Sequence, residues 1–503
     1  MFLVLCKCPR FINLSFMLVI FLSTALYSQL YVAVNGNDDN PGTIDQPLKT
    51  ITRAIQLAAA DTTIYIREGV HEYSATIRLN KSGQQGKPIK LWAYPGEKPV
   101  IDFSSQPIAS SSRGLQISHN YWHVKGLEIR NAGDNGIYIS AWYTVVEACR
   151  VYYCQDTGVQ LSGGASYNKI INCDSFENFD SLTRGENADG FAPKLAVGPG
   201  NEFHGCRAWG NSDDGWDMWE AANTVVLNEC WAFRNGYNIW GISSFAGDGN
   251  GFKLGGNYIA GPHIVTRCVA FDNKGKGFDQ NNNTAGITLY NNTSWRNGTR
   301  NYSFPATPAS GQHVFKNNIS HAAVNQITGS SLLEANSWQG FTVTDSDFVS
   351  LDTTLAKVSR NEDSSLTRID FLRLAETSSM IDAGVDVGFQ FNGTAPDLGA
   401  FEFGPPLSIN EKPTLVNTFT LNNNYPNPFN PTTTISFSLA RRSFVNLKIY
   451  DALGNEVVTL LSDYVNDGTY YFEFNASGLA SGVYYARLTA GSDHKTIKLL
   501  LLK

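Results

Sequence analysis

The sequence predicts an all-β protein, a long parallel β-solenoid followed by a small antiparallel β-sandwich. Three observations carry that prediction. A six-residue phrase recurs between Trp122 and His321 at a nearly constant spacing. The segments between its copies are broken by Gly and Asn and show no helical periodicity. After Pro405 the repeat stops, and strands of alternating polarity begin.

The chain of 503 residues opens with Lys7 and Arg10, an apolar run "FINLSFMLVIFLSTAL" from Phe11 to Leu26, and then small and polar residues. That order predicts a secretory leader over residues 1–28, cleaved near Ala25 or Ser28, and an exported mature chain. The apolar run is slightly short for a membrane span of about 20 residues. A net charge of -7 argues against nucleic-acid binding, because no basic field attracts phosphates. A polyanionic substrate would need a mediating cation.

The repeated phrase reads "GLEIRN" at 126, "CRVYYC" at 149, "CDSFEN" at 173, "CRAWGN" at 206, "CWAFRN" at 230, "CVAFDN" at 268 and "NTSWRN" at 292. Once insertions of roughly nine and fourteen residues are removed from the two long gaps, the period is about 24 residues. A period of this kind predicts coils that bury their inner side only by stacking on one another. Cys149, Cys173, Cys206, Cys230 and Cys268 then form an inward column, expected as free thiols. Asn131, Asn178, Asn211, Asn235, Asn273 and Asn297 are expected to stack as an amide ladder.

A second phrase follows each first one: Gly, apolar, any residue, apolar. It reads "GIYI" at 136, "GVQL" at 158, "GFAP" at 190, "GWDM" at 215, "GFKL" at 251 and, more loosely, "GFDQ" at 277. Alternation places Ile137, Val159, Phe191, Trp216, Phe252 and Phe278 inward. Tyr138, Gln160, Ala192, Asp217, Lys253 and Asp279 then face outward, and the glycines are expected to supply the freedom to turn into each strand.

Because stacked strands lie about 4.8 Å apart, equal positions in successive phrases are neighbours in space. Asp217 falls beside Lys253, with Asp279 beyond it, and Asp189 and Asp214 share the column just before the glycines. Asp189, Asp213, Asp214 and Asp217 thus gather on one face next to one lysine. Carboxylates so close repel unless a cation shares them, and an all-oxygen set favours Ca²⁺ over zinc. The bland alternative is ordinary Asp-Gly turn chemistry with a cross-strand ion pair at Lys253. Ca²⁺ on a uronate carboxylate would acidify the neighbouring C–H bond, and a neutral lysine amine would take that proton, which is β-elimination.

At these residues the chain resembles polysaccharide lyase family 9, the calcium-dependent pectate lyases built on a right-handed parallel β-helix. The resemblance rests on "NADGFAPKL", "GPGNEFHGCRAWGNSDDGWDMWE", "ECWAFRNG" and "GNGFKLGG" and spans about Tyr31 to Gly404. It implies calcium ligation by Asp189, Asp213, Asp214 and Asp217, Lys253 as base, and polygalacturonate (pectin) as substrate. The opening "YVAVNGNDDNPGTIDQPLKTITRAIQLA" is similar to the strand and short capping helix that begin many secreted β-helix proteins. The segment "SSMIDAGVDVGFQFNGTAPDLGAFEFG" is similar to the close of such domains, so the solenoid is expected over 31–404.

Lys194, Arg234, Lys274 and Lys276 are candidates for further uronate carboxylates, although exposed basic residues more often only solvate a face. Trp219 and Trp240 are candidates for stacking on sugar rings, with packing at least as good a reading. No acid for the leaving oxygen stands out.

Residues 405–415 read as a linker, and 416–503 as the sandwich, with "FVNLKIYDALGNEVVTL" and "GTYYFEFNASGLASGVYYARLTAG" alternating between Gly and Asn turns. This tail resembles the C-terminal sorting domain of the type IX secretion system. That resemblance implies the secretion machinery as partner and a secreted or outer-membrane-surface location. A monomer is expected. The rival readings are a uronate lyase for alginate or a glycosaminoglycan, and a non-catalytic glycan-binding surface solenoid.

Overall fold

The computed structural model describes residues 28–405 and, apart from short gaps, 419–502. The segment read as a leader falls outside the described residues except for Ser28, as do positions 406–418, which hold most of the stretch read as a linker. The chain divides into two compact units, Met1–Gly404 and Pro405–Lys503.

The first unit is a parallel solenoid of three sheets with 12, 10 and 10 strands. One coil consists of Asn201–His204 in the first sheet, Arg207–Trp209 in the second and Trp216–Asp217 in the third. The next repeats this with Val225–Asn228, Trp231–Phe233 and Phe252–Lys253. Strands of two to five residues are too short to stand alone, so each depends on the coils above and below. The helix expected near the N-terminus spans Ile51–Leu57 and packs on the first strands through Ile51, Ala54 and Ile55. Thr50 caps it, its hydroxyl accepting from Arg53 N at 3.1 Å.

The cysteine column is present: Cys149, Cys173, Cys206, Cys230 and Cys268 are buried free thiols. The column then continues in amides, with Asn292 Nδ2 donating to Asn318 Oδ1 and Asn318 Nδ2 to Asn336 Oδ1, each at 2.9 Å. The asparagine ladder runs from Asn178 through Asn211, Asn235 and Asn273 to Asn297, each Nδ2 donating to the next Oδ1 at 2.8 to 3.0 Å. Asn131 is not in it. Strand pairing sets Glu128 against Arg150, which aligns Asn131 with Tyr153 rather than Cys154. Asn131 sits there at φ 60°, a left-handed conformation that asparagine tolerates, and bonds Asp102 instead.

The glycines of the second phrase act differently from the expectation. Gly136, Gly158, Gly190, Gly215, Gly251 and Gly277 all lie outside the left-handed region. Space is what excludes a side chain: a Cβ on Gly215 would lie 2.5 Å from Gly251 O and 2.9 Å from Ala232 Cβ, and one on Gly251 would lie 2.7 Å from Gly277 O. Each coil is therefore pinched at one corner, where the third sheet begins against small residues of the second.

Outside the second sheet, Tyr152, Phe176, Trp209, Phe233 and Phe271 form a ring stack with centroids 4.4 to 5.6 Å apart. The chain after the last coil folds back over it, burying Phe348, Phe371, Leu374 and Met380 on those rings. Asp174 is clamped beneath by Arg207 and Arg360 at 2.8 and 2.7 Å.

The second unit holds two antiparallel sheets. One comprises Thr420–Leu421, Thr432–Leu439 and Gly468–Asn475; the other comprises Glu456–Val465, Ser443–Tyr450, Gly482–Ala490 and Asp493–Leu501. Ile435, Phe437, Leu447, Ile449, Leu488 and Leu499 are buried together in its core. Among the described residues no helix is long and apolar enough to cross a membrane.

Candidate active site and metal centre

Three neighbouring strands of the third sheet build the site. Asp217 pairs in register with Lys253, and Lys253 with Asp279, as the alternation predicts. The inward partners lock this register. Phe191, Trp216, Phe252, Phe278 and Tyr302 stack ring on ring with centroids 4.7 to 5.1 Å apart, so a slip of one residue would turn these rings out and the charged groups in.

The two insertions in the repeat enter just before Phe191–Pro193 and Phe252–Lys253 and converge on one carboxylate. Asn187 N donates to Asp213 Oδ2 at 3.1 Å, and Asp248 N donates to Asp213 Oδ1 at 2.7 Å. Ring packing of Phe179 on Trp240 at 4.6 Å ties the insertions together. Gly249 takes φ +80° beside the backbone of Gly236, a conformation and an approach that both favour glycine.

The column before the glycines carries a hydrogen-bonded chain. Asp214 N donates to Asp189 Oδ1 at 3.2 Å, Asn250 N and Nδ2 donate to Asp214 Oδ1 at 2.6 and 2.9 Å, and Lys276 N donates to Asn250 Oδ1 at 3.2 Å. Each acidic side chain is thus held by the backbone of the following coil. Asp189, Asp213 and Asp214 present ligand atoms that lie within 4.8 Å of one another, and all three are buried. Asp217 stands beside this triad and faces the lysines: Lys194 Nζ is 3.1 Å from its Oδ2, and Lys253 Nζ is 3.7 Å from its Oδ1.

Lys253 Nζ also lies 3.2 Å from Asp214 Oδ2, yet off the hydrogen-bonding direction, so that buried oxygen has no donor. Burial pulls the Lys253 ammonium down, but the facing carboxylates of Asp214, Asp217, Asp213 and Asp189 outweigh it and hold the group above its ordinary value. Burial, reinforced by neighbouring carboxylates, pushes Asp189 and Asp213 up to about 8 and Asp214 up to about 7. For Asp217 burial acts the same way, but Lys194 and Lys253 override it and hold the carboxylate below its usual range.

The donor set fits a divalent cation. Three buried carboxylates are left short of positive charge by the chain itself, one oxygen is orphaned among them, and every ligand atom is oxygen. Hard oxygen ligands suit Ca²⁺, whereas zinc would draw on His or Cys.

Sequence reasoning misplaced Lys194. It is buried, not solvated, and its Nζ sits 2.8 Å from Asp189 Oδ2 as well as near Asp217. Its signal was positional: it lies four residues after Gly190, as Trp219 lies four after Gly215, on the strand edge that borders the cluster. Trp219 is partly exposed, and its ring lies 5.5 Å from Lys253 Nζ. A Cβ on Gly256 would come within 2.2 Å of that indole, so Gly256 makes room for Trp219. Lys276 is occupied by Asp279 at 2.8 Å; Lys274 lies over Phe245 at 5.0 Å; Arg234 is exposed; and Trp240 is packed on Phe179.

Comparison with known proteins shows the family. Residues 30–321 match the family model described as the Pel9A-like, right handed beta helix region, and residues 423–502 match the secretion system C-terminal sorting domain. Pectate lyase L of Dickeya dadantii is 43% identical over 383 residues, covering 74% of this chain and 90% of that protein. Pectate lyase PEL9 of Emericella nidulans is 35% identical over 387 residues, covering 70% and 93%. The crystal structure of pectate lyase Pel9A superposes with a TM-score of 0.72 at 42% identity, covering 75% of this chain and 98% of that one. A rhamnogalacturonan lyase superposes with a TM-score of 0.62 at 27% identity, covering 69% and 96%. The chain belongs to the Pel9A-like right-handed β-helix family and is a polysaccharide lyase.

Proposed function

We propose that the protein is a calcium-dependent pectate lyase that cleaves polygalacturonate by β-elimination, with Lys253 as the base and Asp189, Asp213, Asp214 and Asp217 as the carboxylates of the calcium site. The observation that carries this reading is the approach of Lys253 Nζ to within 3.2 Å of a buried, donorless carboxylate oxygen on the exposed side of the third sheet. The relatives named pectate lyase support the substrate.

Asp189, Asp213 and Asp214 would hold the ion, with Asp217 completing the acidic wall between the triad and the lysines. Bound there, Ca²⁺ would offset the carboxylate charge at Lys253 and draw charge from the uronate carboxylate of the substrate. The strand fixes Lys253 in register between Asp217 and Asp279, with the residue largely buried. With the carboxylates offset, burial is the remaining influence on that amine and favours its neutral form, the form a base requires. The neutral amine takes the proton from the carbon next to the uronate carboxylate. That C–H electron pair forms a double bond to the adjacent ring carbon, whose glycosidic C–O bond breaks. The departing oxygen takes a proton from water. Trp219 offers an apolar wall beside the amine.

The sorting-type tail supports export, by the type IX route, to the cell surface or the medium. The rhamnogalacturonan lyase neighbour favours one rival substrate, the rhamnogalacturonan backbone. Incubation with calcium and either polygalacturonate or rhamnogalacturonan, followed by ultraviolet absorbance of the unsaturated ends, tests the choice. Absorbance rising only with polygalacturonate is expected; absorbance rising only with rhamnogalacturonan would replace the proposed substrate.

A further inference from the structure

Lys194 poses a question that the proposed chemistry does not answer. A buried lysine between two acidic side chains that border a cation site is electrostatically adverse to that cation. The chain nevertheless builds it in firmly: Lys194 N donates to Leu161 O at 3.0 Å, and its own carbonyl accepts from Ser162 Oγ at 3.0 Å. Its Nζ donates to Asp189 Oδ2 at 2.8 Å and Asp217 Oδ2 at 3.1 Å. The second Asp217 oxygen accepts from Trp219 N at 3.1 Å. Lys194 therefore occupies one oxygen of Asp189 and one of Asp217, while Asp214 Oδ2 remains without a donor.

Charge makes the pattern intelligible. Asp189, Asp213, Asp214 and Asp217, with Asp156 also acting on Lys194, outnumber Lys194 and Lys253, so the cluster has room for added positive charge. Without Lys194 that excess of acidic groups would be larger by one. The triad's ligand atoms already lie within 4.8 Å of one another with Lys194 in place, so an ion does not require the lysine to leave.

We infer that Lys194 is a built-in counter-cation, a positioning residue that holds Asp189 and Asp217 in place when calcium is absent and limits how tightly the site grips a single calcium ion. This rests on the proposed calcium site and adds to it a residue that touches neither the ion nor the substrate. It assigns a purpose to the lysine's burial: a site that stays assembled while unloaded, and whose affinity is held down by a charge the chain carries itself.

The test uses the full chain, stripped with a chelator and titrated with calcium by calorimetry, alongside thermal unfolding with and without calcium. Binding of calcium to the unaltered chain tests the underlying site; the variants test the inference. Lys194→Met keeps the stem and removes the charge. It is expected to lower the melting temperature of the calcium-free protein, to bind calcium at least about tenfold more tightly, and so to widen the calcium-induced rise in melting temperature. Lys194→Arg keeps the charge and is expected to stay near the unaltered affinity. A Met variant that folds only with calcium is the extreme of the expected result. Unchanged or weaker calcium binding in Lys194→Met, an Arg variant that behaves like Met, or failure of the Met variant to fold even with calcium would each overturn it. So would a rise in KM for polygalacturonate with calcium affinity unchanged, because Lys194 would then be reading the substrate.

Discussion

Lys253 sits where two opposing influences meet, burial lowering its pKa and four carboxylates raising it. The proposed role requires the amine itself, so Lys253→Ala is expected to lower kcat by about 10² to 10⁴-fold while calcium affinity is retained or strengthened. Steady-state kinetics paired with calcium titration checks both. Asp214→Asn keeps the shape and the acceptor for Asn250 but removes the charge of the donorless oxygen. It is expected to weaken calcium binding by at least about tenfold and to shrink the calcium-induced rise in melting temperature.

At the scale of elements, much was legible in the sequence because stacking turns a linear period into neighbours in space. The spacing of "GWDM", "GFKL" and "GFDQ" was enough to put Asp217, Lys253 and Asp279 in one row. Asn131 was misread because the phrase was aligned on its first glycine, whereas the coil aligns on Leu127 opposite Cys149. The reason for the phrase glycines was also hidden. Crowding against the next coil's carbonyl joins residues a full coil apart, as Gly215 to Gly251, which no local turn rule reports. The burial of Lys194 was hidden for a similar reason, since it depends on neighbouring coils that supply Leu161, Ser162 and Asp217.

The same elements make an acid-stability prediction. Along the corner leading into the first sheet, Asn168 Oδ1 accepts from Thr144 N at 2.9 Å, and His263 Nδ1 takes the same place, accepting from Val225 N at 3.3 Å. Burial pulls His263 down to about 3 and His313 down to about 4, from an ordinary value near 6.5. Between those values the unfolded chain binds protons that the folded chain refuses, so this stability is fully present above about pH 6.5 and is lost as pH falls. For the fully buried His263 the loss is on the order of 4 kcal/mol by about pH 3. His263→Asn, which supplies the acceptor used at Asn168, is expected to move the acid unfolding midpoint to lower pH. Asn235→Ala, by contrast, leaves buried partners unsatisfied in the ladder and is expected to cost about 1–3 kcal/mol at neutral pH in denaturant unfolding.

For the molecule as a whole, the solenoid and the tail each have their own buried core. A chain ending at Gly404 is therefore expected to keep the lyase activity and the melting temperature of the solenoid, with the loss confined to export. Calorimetry and activity of the shortened chain, beside fractionation of cells producing each form, check this. The central claim is that one calcium ion, seated among stacked aspartates, makes a buried lysine into a base. Product formation from polygalacturonate in the presence of a chelator, and after calcium is restored, tests it most directly. The account predicts unsaturated ends that stop forming on chelation and return with calcium; new reducing ends that form undiminished under chelation and carry no ultraviolet absorbance would contradict it.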